Sequence, residues 1–478
     1  MPGLRSRAGW LVMPLLRKAG VIAVLVTLLG MAGVNVALAQ QPNTAQNANC
    51  PALAVFGVQG TGESSPDADP KNDTGMLGLM FRPMMAAASG LIDRTYVPYE
   101  ASFGGAVAGG PVPYEQSVDH AVGRLDQMVA GEAKRCPSTK FAGAGYSQGA
   151  HAMSMWAKKV GAGQGAVPAD RVAGIVLLAD PTRQPRSGVF PGKPGLHSPE
   201  PIPGTNGAEV SKITVTDPGL TGAGIAPLAD TSEGYGSLSG RVADICAPGD
   251  LACDAPEHAP VAHLIANIAG QSTLDPNDPV AAISTVAQAL ATTTFKTVVP
   301  VINNDVQGKT LDQLSYTPQK TISQRLAEAS DPRTPMPGVD DTLSALLKVG
   351  TIAFNATKTV VTKVFTPDTI AQLATVGLAD PVGAAMTLGG KVASAVMELV
   401  PPATQSRWVN EAFTALKDNV TDNRDLFNIS TLIKYSDTIA KHQGYASFSS
   451  SPSGQSALDV GARWFAAAAH DIAAGHGN

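Results

Sequence analysis

Residues 141–151 read Phe141-Ala-Gly-Ala-Gly-Tyr-Ser-Gln-Gly-Ala-His151, and within them Gly145, Ser147 and Gly149 make the pattern G-x-S-x-G. In that pattern a strand turns sharply into a helix and lifts one serine hydroxyl to the apex. The neighbourhood fits. Residues 139–146 are apolar and glycine-rich enough for a buried strand, and Ala152, Met153, Trp156 and Val160 fall at helical spacing after the turn. Glycines suit such an elbow because its backbone angles are unfavourable and leave little room beside the serine. Ser147 is therefore the candidate nucleophile. A glycine-rich turn with an idle serine would have the same short pattern, so the rest of the chain has to decide.

Outward from this turn, strands alternate with helices. Residues 53–58 form a short apolar strand that ends in Gln59-Gly-Thr-Gly-Glu63, a glycine-rich turn able to offer backbone N–H groups to an anion. Residues 76–88 read as helix, 95–99 as extended, and 114–134 as a longer helix with Val118, Val122, Leu125 and Met128 on one side. Residues 171–178 are the most strand-like run and close on Asp180; residues 241–245 give a last strand running into Cys246. Between them, 182–238 is rich in Pro, Gly and Ser, with one expected strand at 210–215. The alternation predicts an α/β fold with a central parallel sheet covered on both faces. Ligands in such sheets sit beyond the carboxyl ends of the strands, where the Thr61 turn, Ser147 and Asp250 all fall.

The first 39 residues are of another kind. Arg5, Arg7, Arg17 and Lys18 precede an apolar run, and Ala37-Leu-Ala39 offers a small-x-small cleavage site, so residues 1–39 read as a signal peptide and 40–49 as a linker. An uncleaved leader would instead be a membrane anchor, and that alternative stays open. Removing the leader takes four cations and no acid from the chain, so the formal net charge falls from -5 to -9. An acidic protein without Lys/Arg clusters excludes a nucleic-acid-binding role. Of 478 residues, 15% are charged and 44% hydrophobic, which suits a well-buried globular protein of one large domain or two. The four cysteines are an even number in an exported chain, which favours two disulfides. Cys246 and Cys253 are close enough to enclose a small loop around Asp250, leaving Cys50 for Cys136.

Four features in order carry a resemblance: the Gly60-Thr-Gly-Glu63 turn, Cys136 eleven residues ahead of the serine, Gly145-Tyr-Ser-Gln-Gly149, and Cys-x-x-x-Asp-x-x-Cys at Cys246, Asp250 and Cys253. Together they resemble the cutinase family, especially its actinobacterial cutinase-like esterases, over about residues 48–265. The resemblance implies an α/β-hydrolase three-layer sandwich and a cofactor-free serine esterase. It implies Ser147 as nucleophile, Asp250 as triad acid, and an oxyanion hole from the Gln148 N–H with the N–H and hydroxyl of Thr61. The chemistry requires these parts on its own terms: a serine needs an imidazole to take its proton, the imidazole needs a carboxylate to orient it, and the oxyanion needs fixed donors. Asp180 is the rival acid, but nothing pins its loop.

The imidazole has two candidates after Asp250. His263 follows it by thirteen residues, the spacing that small family members resemble, but lacks the tyrosine the family tends to carry three residues later; His442 has that tyrosine in His442-Gln-Gly-Tyr445. His442 is preferred, with His263 the alternative, and the preference makes 264–437 an insertion between acid and base. That section is Ala-, Val-, Thr- and Leu-rich, with helices expected at 280–291, 322–329, 341–361, 367–376, 382–400 and 406–418. The expected layout is a core of 50–263, a helical cap of 264–437, and a return segment, 438–478, bearing the histidine and a final helix. His151 is expected to pack beneath the elbow; His120, His197, His258, His470 and His476 show no metal-ligand spacing. Met76, Met80, Met84 and Met85 share a helix and read as core filling rather than an acyl channel. The expected function is hydrolysis of fatty-acyl or envelope lipid esters by a secreted or envelope-associated monomer. Acyl transfer with the same triad, or lipid binding without catalysis, are the alternatives.

Overall fold

The computed structural model describes residues 50–475 except 108, 232, 365–401, 429–430 and 432–433. Five strands, β1 (Leu53–Val58), β2 (Ile92–Tyr96), β3 (Lys140–Tyr146), β4 (Val172–Leu178) and β5 (Val242–Ile245), pair in the order β2-β1-β3-β4-β5, and every pairing is parallel. Every residue of β1, β4 and β5 is buried. A parallel sheet covered on both faces leaves no solvent side, so its strands are continuous apolar runs such as Val-Ala-Gly-Ile-Val-Leu-Leu of β4.

Two apolar layers do the covering. On one face α1 (Gly75–Ala87) and the last helix, here α10 (Ala457–Gly475), bury Met76, Met80, Met84, Trp464 and Phe465 against the sheet. The methionines are core filling, as expected; Met85 is only half-buried at the edge of the same layer. On the other face α2 (Tyr114–Arg135) and α3 (Gln148–Gly161) pack Val118, Leu125, Met153 and Trp156 onto β1, β3 and β4. The chain leaves β1 toward β2 on one side and resumes at β3 on the other, so a crevice opens beyond the carboxyl ends of β1 and β3.

Residues 210–215, expected as a strand, are instead one 3-10 turn at Val210–Lys212. The cause is local. Asp471 of α10 accepts hydrogen bonds from the N–H groups of Glu209 and Val210, each at 2.9 Å, and bends the chain where a ladder would have begun.

After β5 the chain is mainly helical: α4 (Pro260–Gly270), α5 (Pro279–Pro300), α6 (Ile322–Ser330), α7 (Val339–Val364), α8 (Pro402–Asp422) and the short α9 (Thr438–Gln443). The starts carry their signals. Asp278 caps α5 through the Ala281 N–H ahead of Pro279, and Thr321 with Gln324 forms a reciprocal capping box at α6. A two-stranded antiparallel ribbon, β6 (Val306–Gln307) with β7 (Ser315–Tyr316), interrupts the helices and was not anticipated. The first helix also begins at Pro260, ahead of the expected boundary at 264, and it includes His263. The expected helices at 367–376 and 382–400, like the leader and linker of residues 1–49, lie outside the described residues.

Candidate active site

Ser147 stands between β3 and α3 with φ 55° and ψ -121°, a conformation that few non-glycine residues adopt. The elbow is held from two sides. The Ser147 N–H donates to Leu178 O of β4 at 2.9 Å, and a Cβ at Gly149 would overlap Val58 O of β1. The helix can thus start directly above two strands only because residue 149 has no side chain.

The acid comes from the loop after β5. Cys246 and Cys253 are disulfide-bonded, seven positions apart, and Asp250 lies between them with 1% of its surface exposed. Its carboxylate accepts from the Ala252 N–H (3.0 Å) and the Tyr445 hydroxyl (2.9 Å), and both its oxygens lie within reach of His442 Nδ1, at 2.9 and 3.0 Å. The opposite ring nitrogen, His442 Nε2, is 2.8 Å from Ser147 Oγ. Serine, imidazole and carboxylate form one continuous hydrogen-bonded row. The second disulfide, Cys50–Cys136, ties the start of β1 to the end of α2.

The histidine reaches this position on the return segment. His442 closes α9, whose first residue, Thr438, accepts the Leu251 N–H at 2.9 Å and so docks the helix onto the acid loop. Tyr146, between Gly145 and Ser147, donates its hydroxyl to His442 O at 2.8 Å and lies against the imidazole with ring centroids 5.3 Å apart. Tyr445 is fully buried and takes the Ala247 N–H at 3.1 Å while donating to Asp250. Burial pushes both phenols well above their usual range, so they stay protonated donors. Tyr146 was missed as a support for the imidazole; its only signal in the sequence was an aromatic beside the serine.

His263, the alternative base, makes no hydrogen bond to Ser147 or Asp250 among the described residues. Its Nδ1 is buried without a partner, and burial lowers its pKa, favouring the neutral ring. The rival acid, Asp180, is fully buried, with its carboxyl oxygens engaged by the Thr182 N–H (2.9 Å) and hydroxyl (2.8 Å) rather than by an imidazole. His151 is buried beneath the elbow between Tyr114 and Asp230, at 3.2 Å from each.

Gln148 and Thr61 bracket the serine. Gln148 is the first residue of α3, so its N–H belongs to the donors that a helix leaves unpaired. Its side chain is turned away, donating to Ser102 O at 2.9 Å. In the turn after β1, the Gly62 and Glu63 N–H groups go to Ala101 O and Gly60 O, and the Gly60 N–H goes to the Glu63 carboxylate. The Thr61 N–H makes no hydrogen bond among the described residues, and Thr61 borders the same cavity as Ser147. Glu63 braces this turn by also accepting the Met76 N–H at 3.0 Å; burial raises its pKa and the two N–H groups oppose the rise.

That cavity has a volume of about 330 Å3. Ser147 and His442 open into it, the acid loop contributes Leu251 and Ala252, and Ala266, Asn267 and Gly270 of α4 form part of its wall. The helical section is thus part of the site rather than remote from it. Among the described residues no group of three or more His, Cys, Asp or Glu side chains could hold a metal ion.

Residues 49–273 match the cutinase family. Over that stretch the chain is similar to cutinases. A carboxylesterase Culp6 homolog of Corynebacterium glutamicum is 32% identical over 221 residues, covering 43% of this chain and 66% of the relative, just under two thirds of its length. Among solved structures, the catalytic core of acetyl xylan esterase from Trichoderma reesei is 18% identical, with 50% of this chain and 98% of that one covered and a TM-score of 0.30. A cutinase-like protein from Cryptococcus sp. is 20% identical over 51% of this chain and 96% of its own, with a TM-score of 0.28. The family match ends at residue 273, so His442 and the rest of the return segment lie beyond it.

Proposed function

We propose that this protein is a serine carboxylic ester hydrolase acting on fatty-acyl or envelope lipid esters. The observation that carries the proposal is the row Ser147 Oγ, His442 Nε2, His442 Nδ1 and Asp250, with separations of 2.8 and 2.9 Å. In the reaction, His442 takes the Ser147 proton as the oxygen attacks the ester carbonyl, and the charge gathers on the former carbonyl oxygen. The N–H groups of Gln148 and Thr61, with the Thr61 hydroxyl, receive that oxyanion, each donor lowering the barrier by on the order of 3 kcal/mol. His442 then returns its proton to the departing alcohol, and water, activated by the same imidazole, cleaves the acyl-enzyme. Asp250 fixes the ring and stabilises its positive charge throughout; no cofactor takes part.

A largely apolar cavity beside the nucleophile favours an acyl chain as its occupant, and the Culp6 homolog's designation as a carboxylesterase agrees with that chemistry. A sugar hydroxyl replacing water would make the same site an acyltransferase, and lipid binding without turnover is the non-enzymatic reading. We take residues 264–437 as a cap inserted between acid and base, the leader with the two disulfides as signs of export to the cell envelope or beyond, and the active form as a monomer. The test is covalent labelling by a p-nitrophenyl alkylphosphonate together with turnover of p-nitrophenyl esters. Wild type should be labelled at residue 147 and lose its activity, and Ser147→Ala should show neither labelling nor turnover while keeping its circular dichroism spectrum. Turnover by Ser147→Ala at the wild-type rate would refute the proposal.

A further inference from the structure

The cavity beside Ser147 is not uniformly apolar. Glu115, in the first turn of α2, borders it with 9% of its surface exposed, and Asn267 of α4 borders it with 2% exposed. Each leaves an oxygen buried without a hydrogen-bond partner among the described residues, Oε2 of Glu115 and Oδ1 of Asn267. The amide nitrogen of Asn267 is already committed to Ser330 Oγ at 3.1 Å, which fixes the amide and leaves its oxygen as the free acceptor. Both line the same cavity, and α4 approaches Glu115 at Gly270. A Cβ placed at Gly270, one turn beyond Asn267 on the same face of α4, would stand 3.3 Å from Glu115 Oε1. Gly270 lets the carboxyl lie against the helix.

Buried acceptors without partners are costly, and two on the wall of one ligand-sized cavity mark a place for a polar group. We propose that Glu115 and Asn267 form a polar subsite selecting esters that carry a hydroxyl group on the portion held in the cavity. A hydroxyl has one proton to give and two lone pairs. It donates to Asn267 Oδ1 and takes the carboxyl of Glu115 as its second partner; burial raises the pKa of that carboxyl to about 7, so a protonated donor form is present in mildly acidic solution. An ester without the hydroxyl leaves both oxygens unpaired, and that difference creates the selectivity.

This proposal rests on the esterase reading, and the experiment separates the two. The kcat/KM values are measured at pH 6 for p-nitrophenyl hexanoate and for its analogues with a hydroxyl at successive acyl carbons. Propyl and glyceryl hexanoates are compared in the same way, which distinguishes a hydroxyl on the acyl side from one on the alcohol side. Wild type should prefer one hydroxylated ester over its plain counterpart by about tenfold or more. Glu115→Leu and Asn267→Leu should bring that ratio below about twofold, and Glu115→Gln should retain most of it. The ratio is read within each variant, so a general loss of activity cancels. Turnover of plain esters without preference for any hydroxylated one, or a preference unchanged in both leucine variants, would overturn the subsite while leaving the esterase reading intact. Failure to turn over any ester would overturn both.

Discussion

The sandwich, formed by residues 50–259 with α10, and the helical section that lies between them in the chain are built on different principles. In the sandwich, large apolar side chains such as Trp156, Phe141, Trp464 and Phe465 are at most 1% exposed and form two continuous layers. In the section the buried apolar residues are few and mostly small, Ala289, Ala327, Ala329 and Ala345 with Ile268 and Val299, while Leu346, Leu347, Phe413 and Leu416 are 62–70% exposed. Its junctions with the sandwich include many polar contacts: Arg333 with Asp119 at 2.8 Å, Lys434 with Asp254 at 2.6 Å, and the His258 N–H to Asp425 at 3.1 Å. One region derives its stability from area removed from water; the other is held in place by directional contacts, which are individually weak. The site lies where the two meet, with Ser147 and Asp250 on the rigid side and His442 delivered by the chain that returns from the other.

Three experiments can break or sharpen that contrast. The largest effect should come from the rigid side: Asp250→Asn leaves the geometry in place but lets the imidazole adopt the wrong tautomer, with kcat expected to fall by about 10^4. Steady-state kinetics with a short p-nitrophenyl ester checks it, and a loss below tenfold would remove Asp250 from the row. Next, Trp464→Ala should destabilise by about 3–5 kcal/mol, because Trp464 fills the layer beneath Phe190 and β4, whereas Leu347→Ala in the section should change stability by less than about 0.5 kcal/mol. Urea titration of both variants would show equal effects if the regions were built alike. Smallest is a pH effect at the junction. Burial raises Glu115 from 4.5 to about 7, with His151 and Arg333 opposing the rise and Asp230 and Asp119 adding to it. The folded state therefore holds this proton more tightly than the unfolded chain, so the contribution is fully present below pH 4.5 and is lost as pH rises toward 7. Glu115→Gln, which cannot ionise, should be more stable than wild type at pH 8 by up to about 3 kcal/mol relative to its difference at pH 4. Equal differences at both pH values would show that the carboxyl is not burdened by burial.

The sandwich was legible in the sequence because its signals are local and redundant. A buried parallel strand must be a short apolar run, an elbow needs its glycines, and a disulfide loop around Asp250 shows in the spacing of Cys246 and Cys253. Residues 210–215 were misread because the determinant, Asp471, is more than 250 positions away and removes two N–H groups that a strand would have used. The β6-β7 ribbon was invisible because two residues per strand have no periodicity to read. His442 is the instructive case. The family match stops at residue 273 and includes His263, thirteen residues after Asp250, yet the ring within hydrogen-bond distance of Ser147 is that of His442, beyond the match. What favoured His442 in the sequence was a feature of the resemblance, a tyrosine three residues on, and in the structure that tyrosine, Tyr445, donates to Asp250.

Replacing each imidazole in turn tests the central claim most directly, with kcat/KM and phosphonate labelling of Ser147 as paired readouts. The account predicts that His442→Ala lowers kcat/KM by about 10^4 or more and suppresses labelling, while His263→Ala stays within about tenfold of wild type and is labelled normally. Retained activity in His442→Ala, with inactivation in His263→Ala instead, would contradict it.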